Sequence, residues 1–312
     1  MNHTQFTVAI AGSTKNTLMC AQAIKNDTRF SIQWILTPSP RKVGRKQELI
    51  ENPLHVFAQR QNIQTFFIEQ KIDAALQELI VENAKPIDFL LVVDFGYIVP
   101  NWLLALPKKA PINIHPSDLP KYRGSSPGQF VLLFGEKKSA VSVIIMNNLL
   151  DQGELIAQPN FEVLSTWNHQ DYYQFAFNLI SEQLPNVLVQ FGEGQLLPTA
   201  QPLNSPTMIA RRLTRDDGFV SWELLKGVND AQASELLQTV NQQFQNWPQV
   251  INNAVRAFSP WPGVWTLVPT AKGEKRMKIL SSMLENNQLL LDQVQIEGQS
   301  PSFFEEVMNQ IK

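Results

Sequence analysis

A chain of 312 residues is too long for one small core, so two domains are expected. Hydrophobic residues make up 44%, charged residues 17% and the net charge is −2, an ordinary globular composition with no global attraction to nucleic acid; any such contact must be local. The single cysteine, Cys20 in TLMCAQAI, excludes an internal disulfide and a cysteine-based zinc site, and reads as a small core side chain. No basic-then-apolar leader pattern is present, and no apolar run approaches the about 18 residues of a membrane span. The expectation is a cytoplasmic, metal-free chain with no membrane partner.

The first half alternates strand and helix signals. FTVAIAG (6–12) is a short β-rich run ending on glycine, TLMCAQAIKN (17–26) has helical spacing, and FSIQWILT (30–37) is again a strand. NPLHVFAQRQ (52–61) reads as a helix with proline in its first turn, TFFIE (65–69) as a strand and DAALQELIVEN (73–83) as a helix. IDFLLVVDFG (87–96) is a continuous apolar run, the pattern of a strand buried on both faces. Such alternation predicts an α/β domain, a Rossmann-like, mostly parallel sheet with helices on both faces and its site beyond the carboxyl ends of the strands. INIH (112–115) is a further strand, followed by a proline-rich polar loop and a helix over 127–135. Strand-like runs at 139–146 and 154–163 and a long helix over about 169–191 complete a domain of residues 1–191. Residues 192–207, rich in Gly, Pro, Ser and Thr, read as a linker. Residues 208–312 have a helical middle and β-like runs at 264–268, 276–282 and 289–296, which predicts a small α+β or β-barrel unit.

Chemistry concentrates where INIH ends. Asn113 and His115 are two apart, so on a strand their side chains share a face. An amide donor beside an imidazole can hold a developing oxyanion and handle a proton; the competing reading is that both cap the loop through local hydrogen bonds. Asp151, in NNLLDQGELI, follows a strand-like run and opens a turn. From an adjacent loop its carboxylate can orient the ring and favour its charged form. An Asn–His–Asp set suits transfer of an acyl-type group to an amine, where a carbonyl needs an oxyanion hole and the amine must lose a proton. Ser117 lies close to His115 but in no strand–turn–helix elbow, so a serine-hydrolase triad fits worse. A nicotinamide-dependent enzyme is disfavoured because AGSTKN follows the first strand where a G-x-G-x-x-G turn is needed.

These stretches carry a resemblance. NIHPSDLPKYRGSSPGQ (113–129), with LLDQGELI (149–156), resembles the signature region of the 10-formyltetrahydrofolate-dependent formyltransferases. The resemblance implies Asn113, His115 and Asp151 as catalytic residues. VVDFGYIVP (92–100) is similar to a segment whose backbone helps form the family's folate pocket. On that basis the cosubstrate 10-formyltetrahydrofolate is expected against Phe95, Gly96, Tyr97, Ile98, Ser117, Asp118, Leu119, Pro120, Asn147 and Leu150, with Arg123 and Gly124 shaping the loop. TPSPRKVGRKQELIENPLHVFA (37–58) resembles the basic loop of family members that formylate initiator methionyl-tRNA, which implies tRNA contacts at Arg41, Lys42, Arg45 and Lys46. RRLTRDDGFVSWE (211–223), RAFSPWPGVWT (256–266) and VQIEGQSPSFFEEVMNQ (294–310) resemble the family's smaller C-terminal, OB-like β-barrel domain. Trp261 and Trp265 are read as packing residues there.

The implied function is formyl transfer to initiator methionyl-tRNA for translation initiation, by a monomer. The alternatives are a sugar-nucleotide N-formyltransferase using the same donor, a 10-formyltetrahydrofolate hydrolase, and a tRNA-binding module without catalysis. The sequence departs from the family pattern at Gly12-Ser13-Thr14, Asp94, Asp118 and Gly128. Acidic and basic residues nearly balance beyond residue 207, so a tRNA-facing surface there would need clustering, as at Arg211, Arg212 and Arg215.

Overall fold

The computed structural model describes residues 5–43, 47–228, 231–271 and 273–311. In the first half, strands β1 (Phe6–Ala11), β2 (Phe30–Pro38), β3 (Arg41–Val43), β4 (Glu48–Ile50), β5 (Gln64–Ile68), β6 (Phe89–Val93) and β7 (Ala110–His115) are interleaved with helices α1 (Lys15–Asn26), α2 (Pro53–Arg60), α3 (Ala74–Asn83) and α4 (Asn101–Leu104). Then come α5 (Pro127–Leu133), β8 (Lys138–Ala140), β9 (Ser142–Ile145), β10 (Leu155–Ala157), β11 (Asn160–Glu162) and α6 (His169–Gly192). The chain divides into two compact units, residues 1–123, 140–161 and 173–208, and residues 124–139, 162–172 and 209–312. Residues 124–139 and 162–172, inside the first domain on sequence grounds, belong with the second compact unit because α5 packs on a C-terminal helix described below.

The first unit is built on a seven-stranded sheet in the order β10-β9-β7-β6-β1-β2-β5. The five strands β7-β6-β1-β2-β5 are parallel, and β9 and β10 add antiparallel at one edge. All five residues of β6 are buried, as its unbroken apolar run predicted. Each such side chain contributes about 1.5–3 kcal/mol of burial. On one face Trp34, Phe66, Leu76, Ile80, Leu90 and Leu103 form a core, with Trp34 Nε1 donating to Lys85 O at 3.0 Å. Helices α1, α2 and α3 start where side chains cap them. Thr14 accepts from Thr17 N, Asn52 from His55 N with Pro53 in the first turn, and Asp73 from Leu76 N. Cys20 is fully buried and burial pushes its thiol up to about 12, so it is an inert core residue.

Two expected strands are each broken in two. The 139–146 run is interrupted at Val141, between β8 and β9. The 154–163 run is interrupted at Gln158-Pro159, where proline removes a ladder donor.

In the second unit η1 (Arg215–Gly218), α7 (Trp222–Leu225), α8 (Glu235–Phe244) and α9 (Trp247–Phe258) precede β12 (Val264–Thr270), β13 (Gly273–Ile279), β14 (Ser282–Glu285), β15 (Gln288–Leu291), β16 (Gln293–Ile296) and β17 (Ser302–Phe303), with α10 (Phe304–Val307) and η2 (Met308–Gln310) last. The amphipathic α9 buries Val250, Ile251, Ala254, Val255 and Phe258 and packs against α5 and α8. The strands are antiparallel. They form a four-stranded sheet, β12-β13-β16-β17, and the hairpin β14-β15. Val268, Met277, Val294, Ile296 and Val307 make their core. The expected single strand 289–296 is split at Asp292, so its halves pair with different partners. Trp265 is a packing residue, covered by the Arg276 guanidinium at 4.2 Å and in tilted contact with the Phe219 ring at 4.9 Å; Trp261 is half exposed.

Candidate active site

β7 puts Asn113 and His115 on one face, and the sheet register sets their neighbours. Asn113 lies opposite Val92 of β6 and Ile144 of β9, and His115 opposite Ser142 at the start of β9. Because β9 runs antiparallel, it leaves the sheet level with Pro111, where Met146 N donates to Pro111 O. The 147–153 loop must therefore double back over the sheet to bring Asp151 to His115. It does so with Asp151 in the left-handed region (φ 51°) and with Gly153 against β9, where a Cβ would overlap Ile145 O. Asp151 Oδ2 then stands 3.6 Å from His115 Nδ1, both side chains nearly buried.

The other ring nitrogen, His115 Nε2, lies 3.1 Å from Tyr122 O. A carbonyl only accepts, so Nε2 is the donor there. The ring is thus hydrogen-bonded through Nε2 and faces the Asp151 carboxylate through Nδ1. Tyr122 is itself held at φ 56°, an uncommon conformation for a bulky residue, which aims its carbonyl at the imidazole. Asn113 is half-buried. Among the described residues none hydrogen-bonds its side-chain amide. An amide donor at a strand end, beside an imidazole and a carboxylate, is an arrangement able to hold an oxyanion and relay a proton.

The expected folate contacts divide into three groups. Phe95, Gly96, Tyr97 and Ile98 form the loop after β6; the Phe95 and Tyr97 rings lie 5.3 Å apart and pack on the core beneath, and Ile98 is 92% exposed. Asn147 and Leu150 are exposed in the 147–153 loop, with Asn147 Oδ1 accepting from Leu149 N. Asp118 and Pro120 are half-buried, whereas Ser117 and Leu119 are buried and their polar groups bond within the protein. Ser117 Oγ donates to Lys121 O, Ser142 Oγ donates to Ser117 O, and Leu119 O accepts from Gln158 Nε2. Ser117 and Leu119 therefore shape the loop by internal bonding. Asp94, also at positive φ, accepts from Asn16 Nδ2 at 3.1 Å.

Arg41 and Lys42 do not sit in an irregular loop. They are exposed on β3 of the β3–β4 hairpin, opposite Ile50 and Leu49. Arg45 and Lys46 lie outside the described residues. Arg211 does not offer a free cation: its guanidinium forks onto Asp217 at 2.6 and 2.9 Å. Among the described residues no group of His, Cys, Asp and Glu could hold a metal ion, and no helix is long and apolar enough to cross a membrane.

Sequence reasoning missed the contribution of residues 199–207. Gln201, Ser205 and Thr207 hydrogen-bond to the loop after β7 and to the Asp151 turn. The segment has no periodicity and its partners lie far away in the chain, so no local signal marks it.

Comparison with known proteins agrees with this architecture. Residues 4–188 match the formyl transferase family and residues 243–290 its C-terminal domain. The chain is 26% identical over 255 residues to a methionyl-tRNA formyltransferase of Rickettsia rickettsii (strain Iowa), spanning 82% of this chain and 74% of that protein. It shares its fold with the methionyl-tRNA formyltransferase of Clostridium thermocellum (TM-score 0.57, 14% identity, 93% of this chain and 98% of that one). It shares it equally with the N-formyltransferase of Helicobacter canadensis, solved with folinic acid and dTDP-3-aminofucose (TM-score 0.58, 20% identity, 89% and 88%). With the first match alone spanning more than half of its length, the chain belongs to the formyl transferase family.

Proposed function

We propose that this protein transfers a formyl group from 10-formyltetrahydrofolate to the amino group of initiator methionyl-tRNA. The observation that carries the reading is the Asn113 amide, free of protein partners among the described residues, beside the His115–Asp151 pair at 3.6 Å. The amine attacks the formyl carbon and a tetrahedral oxyanion forms. Asn113 donates to it, and the charge of His115 lies next to it. His115 is already committed through Nε2 to Tyr122, so Asn113 is the principal hydrogen-bond donor. Asp151 balances the imidazolium and takes up the proton that the amine releases, directly or through a water. The carbon–nitrogen bond to the folate then breaks as that proton passes to the departing folate nitrogen, leaving tetrahydrofolate and the formylated amine.

Three further considerations support the choice of amine. The sequence relative from Rickettsia rickettsii is named for methionyl-tRNA. The exposed Arg41 and Lys42 supply local positive charge suited to phosphate in a chain of net charge −2. The antiparallel unit at 209–312 accompanies the catalytic architecture. The same reading makes the protein a cytoplasmic monomer. The test is formyl transfer from 10-formyltetrahydrofolate to charged initiator methionyl-tRNA, with a non-initiator methionyl-tRNA and a nucleotide-linked amino sugar as parallel acceptors. Transfer confined to the initiator tRNA is expected. Transfer confined to the amino sugar would overturn the choice of amine and leave the chemistry standing.

A further inference from the structure

Residues 199–207 look like a linker in sequence, yet they are stitched to both sides of His115. Thr199 is paired with Leu155, its N–H and C=O each bonded to the partner's at 2.8 Å. Gln201 Nε2 donates to the backbone carbonyls of Asp151 (3.0 Å) and Gly153 (2.6 Å), the turn that carries the carboxylate. Gln201 Oε1 accepts from Arg123 Nε (3.3 Å) and Nη2 (3.0 Å), and the same buried guanidinium donates to Pro202 O (2.7 Å) and Leu203 O (3.0 Å). Farther along, Ser205 Oγ donates to Pro120 O (2.8 Å) and Thr207 Oγ1 accepts from Tyr122 N (2.7 Å).

Both ring partners of His115 sit at strained backbone. Asp151 faces Nδ1 at φ 51° and Tyr122 faces Nε2 at φ 56°. Such conformations persist only where surrounding contacts over-determine them. The strap supplies those contacts, Gln201 to the first and Thr207 to the second. We infer that residues 199–207 form a positioning strap, in which Gln201 holds the Asp151 turn and Thr207 holds Tyr122 by its N–H, keeping its carbonyl on the ring, so that the imidazole is fixed from both nitrogens. As a statement about catalysis this rests on the formyl-transfer reading; as a statement about position it does not.

The experiment reads position and turnover separately. The imidazole nitrogens of His115 are followed by 15N NMR in the full chain, assigned with a His115→Ala variant, for the wild type, Gln201→Met, Gln201→Glu, Thr207→Val and Asp151→Asn. Gln201→Met keeps the length and removes the polar head; Gln201→Glu keeps the acceptor for Arg123 and replaces the donor by a charged carboxylate oxygen facing the same two carbonyls. Both are expected to move the Nδ1 resonance toward its position in Asp151→Asn, and Gln201→Met should move it no further once Asp151→Asn is present. Thr207→Val should move Nε2 instead. In formyl transfer, kcat of Gln201→Met is expected to fall on the order of 10- to 100-fold with KM for both substrates nearly unchanged, and to add little to Asp151→Asn. A wild-type Nδ1 resonance in both Gln201 variants, or an equal loss of kcat with and without Asp151, would overturn the inference. A wild-type protein that formylates no amine would overturn the functional reading, while the nitrogen resonances still decide the positioning.

Discussion

Replacing Arg123 by Met should loosen the strap, and the structure sets the size of the effect. Arg123 is 3% exposed and gives hydrogen bonds to three acceptors, Gln201 Oε1, Pro202 O and Leu203 O. A bond to a charged group is worth about 1.5–3 kcal/mol net. Pro202 and Leu203 are exposed, so once released their carbonyls find water and their loss falls at or below the low end of that range. Removing the guanidinium also relieves its own burial cost, which holds its pKa below the ordinary arginine value against the favourable field of Asp151. The balance is a local destabilisation of about 3 kcal/mol. The assay is native-state hydrogen exchange at the Tyr122 amide, which the strap protects through Thr207. About 3 kcal/mol corresponds to roughly a hundredfold loss of protection. Arg123→Lys should fall between, because an ammonium cannot fork across the three acceptors. Protection of the Tyr122 amide unchanged in Arg123→Met would refute the reasoning that the strap hangs on this side chain.

Other consequences are equally concrete. Gly153→Ala places a Cβ onto Ile145 O and should cost about 1–3 kcal/mol while displacing the Asp151 turn, read together as a lower unfolding midpoint and a lower kcat. The Asp217 carboxyl lies below its ordinary range: burial acts to raise it, but the Arg211 fork and the Thr214 hydrogen bonds outweigh burial. Its stabilising contribution is therefore fully present above about pH 4 and is lost as the pH falls further through the folded-state value. The stability gap between wild type and Asp217→Asn in urea unfolding should be full at neutral pH and close in acid. Changing Arg41 and Lys42 together to Ala should weaken tRNA binding and flatten its dependence on salt concentration, with no change in folate binding.

The sheet was legible because its strands announce themselves by composition. The unbroken FLLVV of β6, the first-turn proline of NPLHVFAQRQ and the helical spacing of DAALQELIVEN each predict their element from a few neighbouring residues. Asn113 and His115 were legible for the same reason: two polar residues end an apolar strand, two positions apart. What was not legible depends on long separations. SAVSVIIM reads the same whether a strand is parallel or antiparallel, so the reversal of β9, and with it the doubled-back path of Asp151, is invisible locally. The backbone reversal at Tyr122 leaves no mark in its side chain. The 199–207 strap makes its bonds through single side chains and isolated backbone groups to partners as far as 85 positions away, and its Pro- and Ser-rich composition resembles a flexible connection.

The central claim is that Asn113 is the oxyanion donor of a formyl-transfer site. The most direct measurement is single-turnover formyl transfer from 10-formyltetrahydrofolate to initiator methionyl-tRNA by Asn113→Ala. A rate about 10²–10³ below wild type, with the fold and folate affinity retained, is the predicted result. A rate near that of the wild type would contradict it.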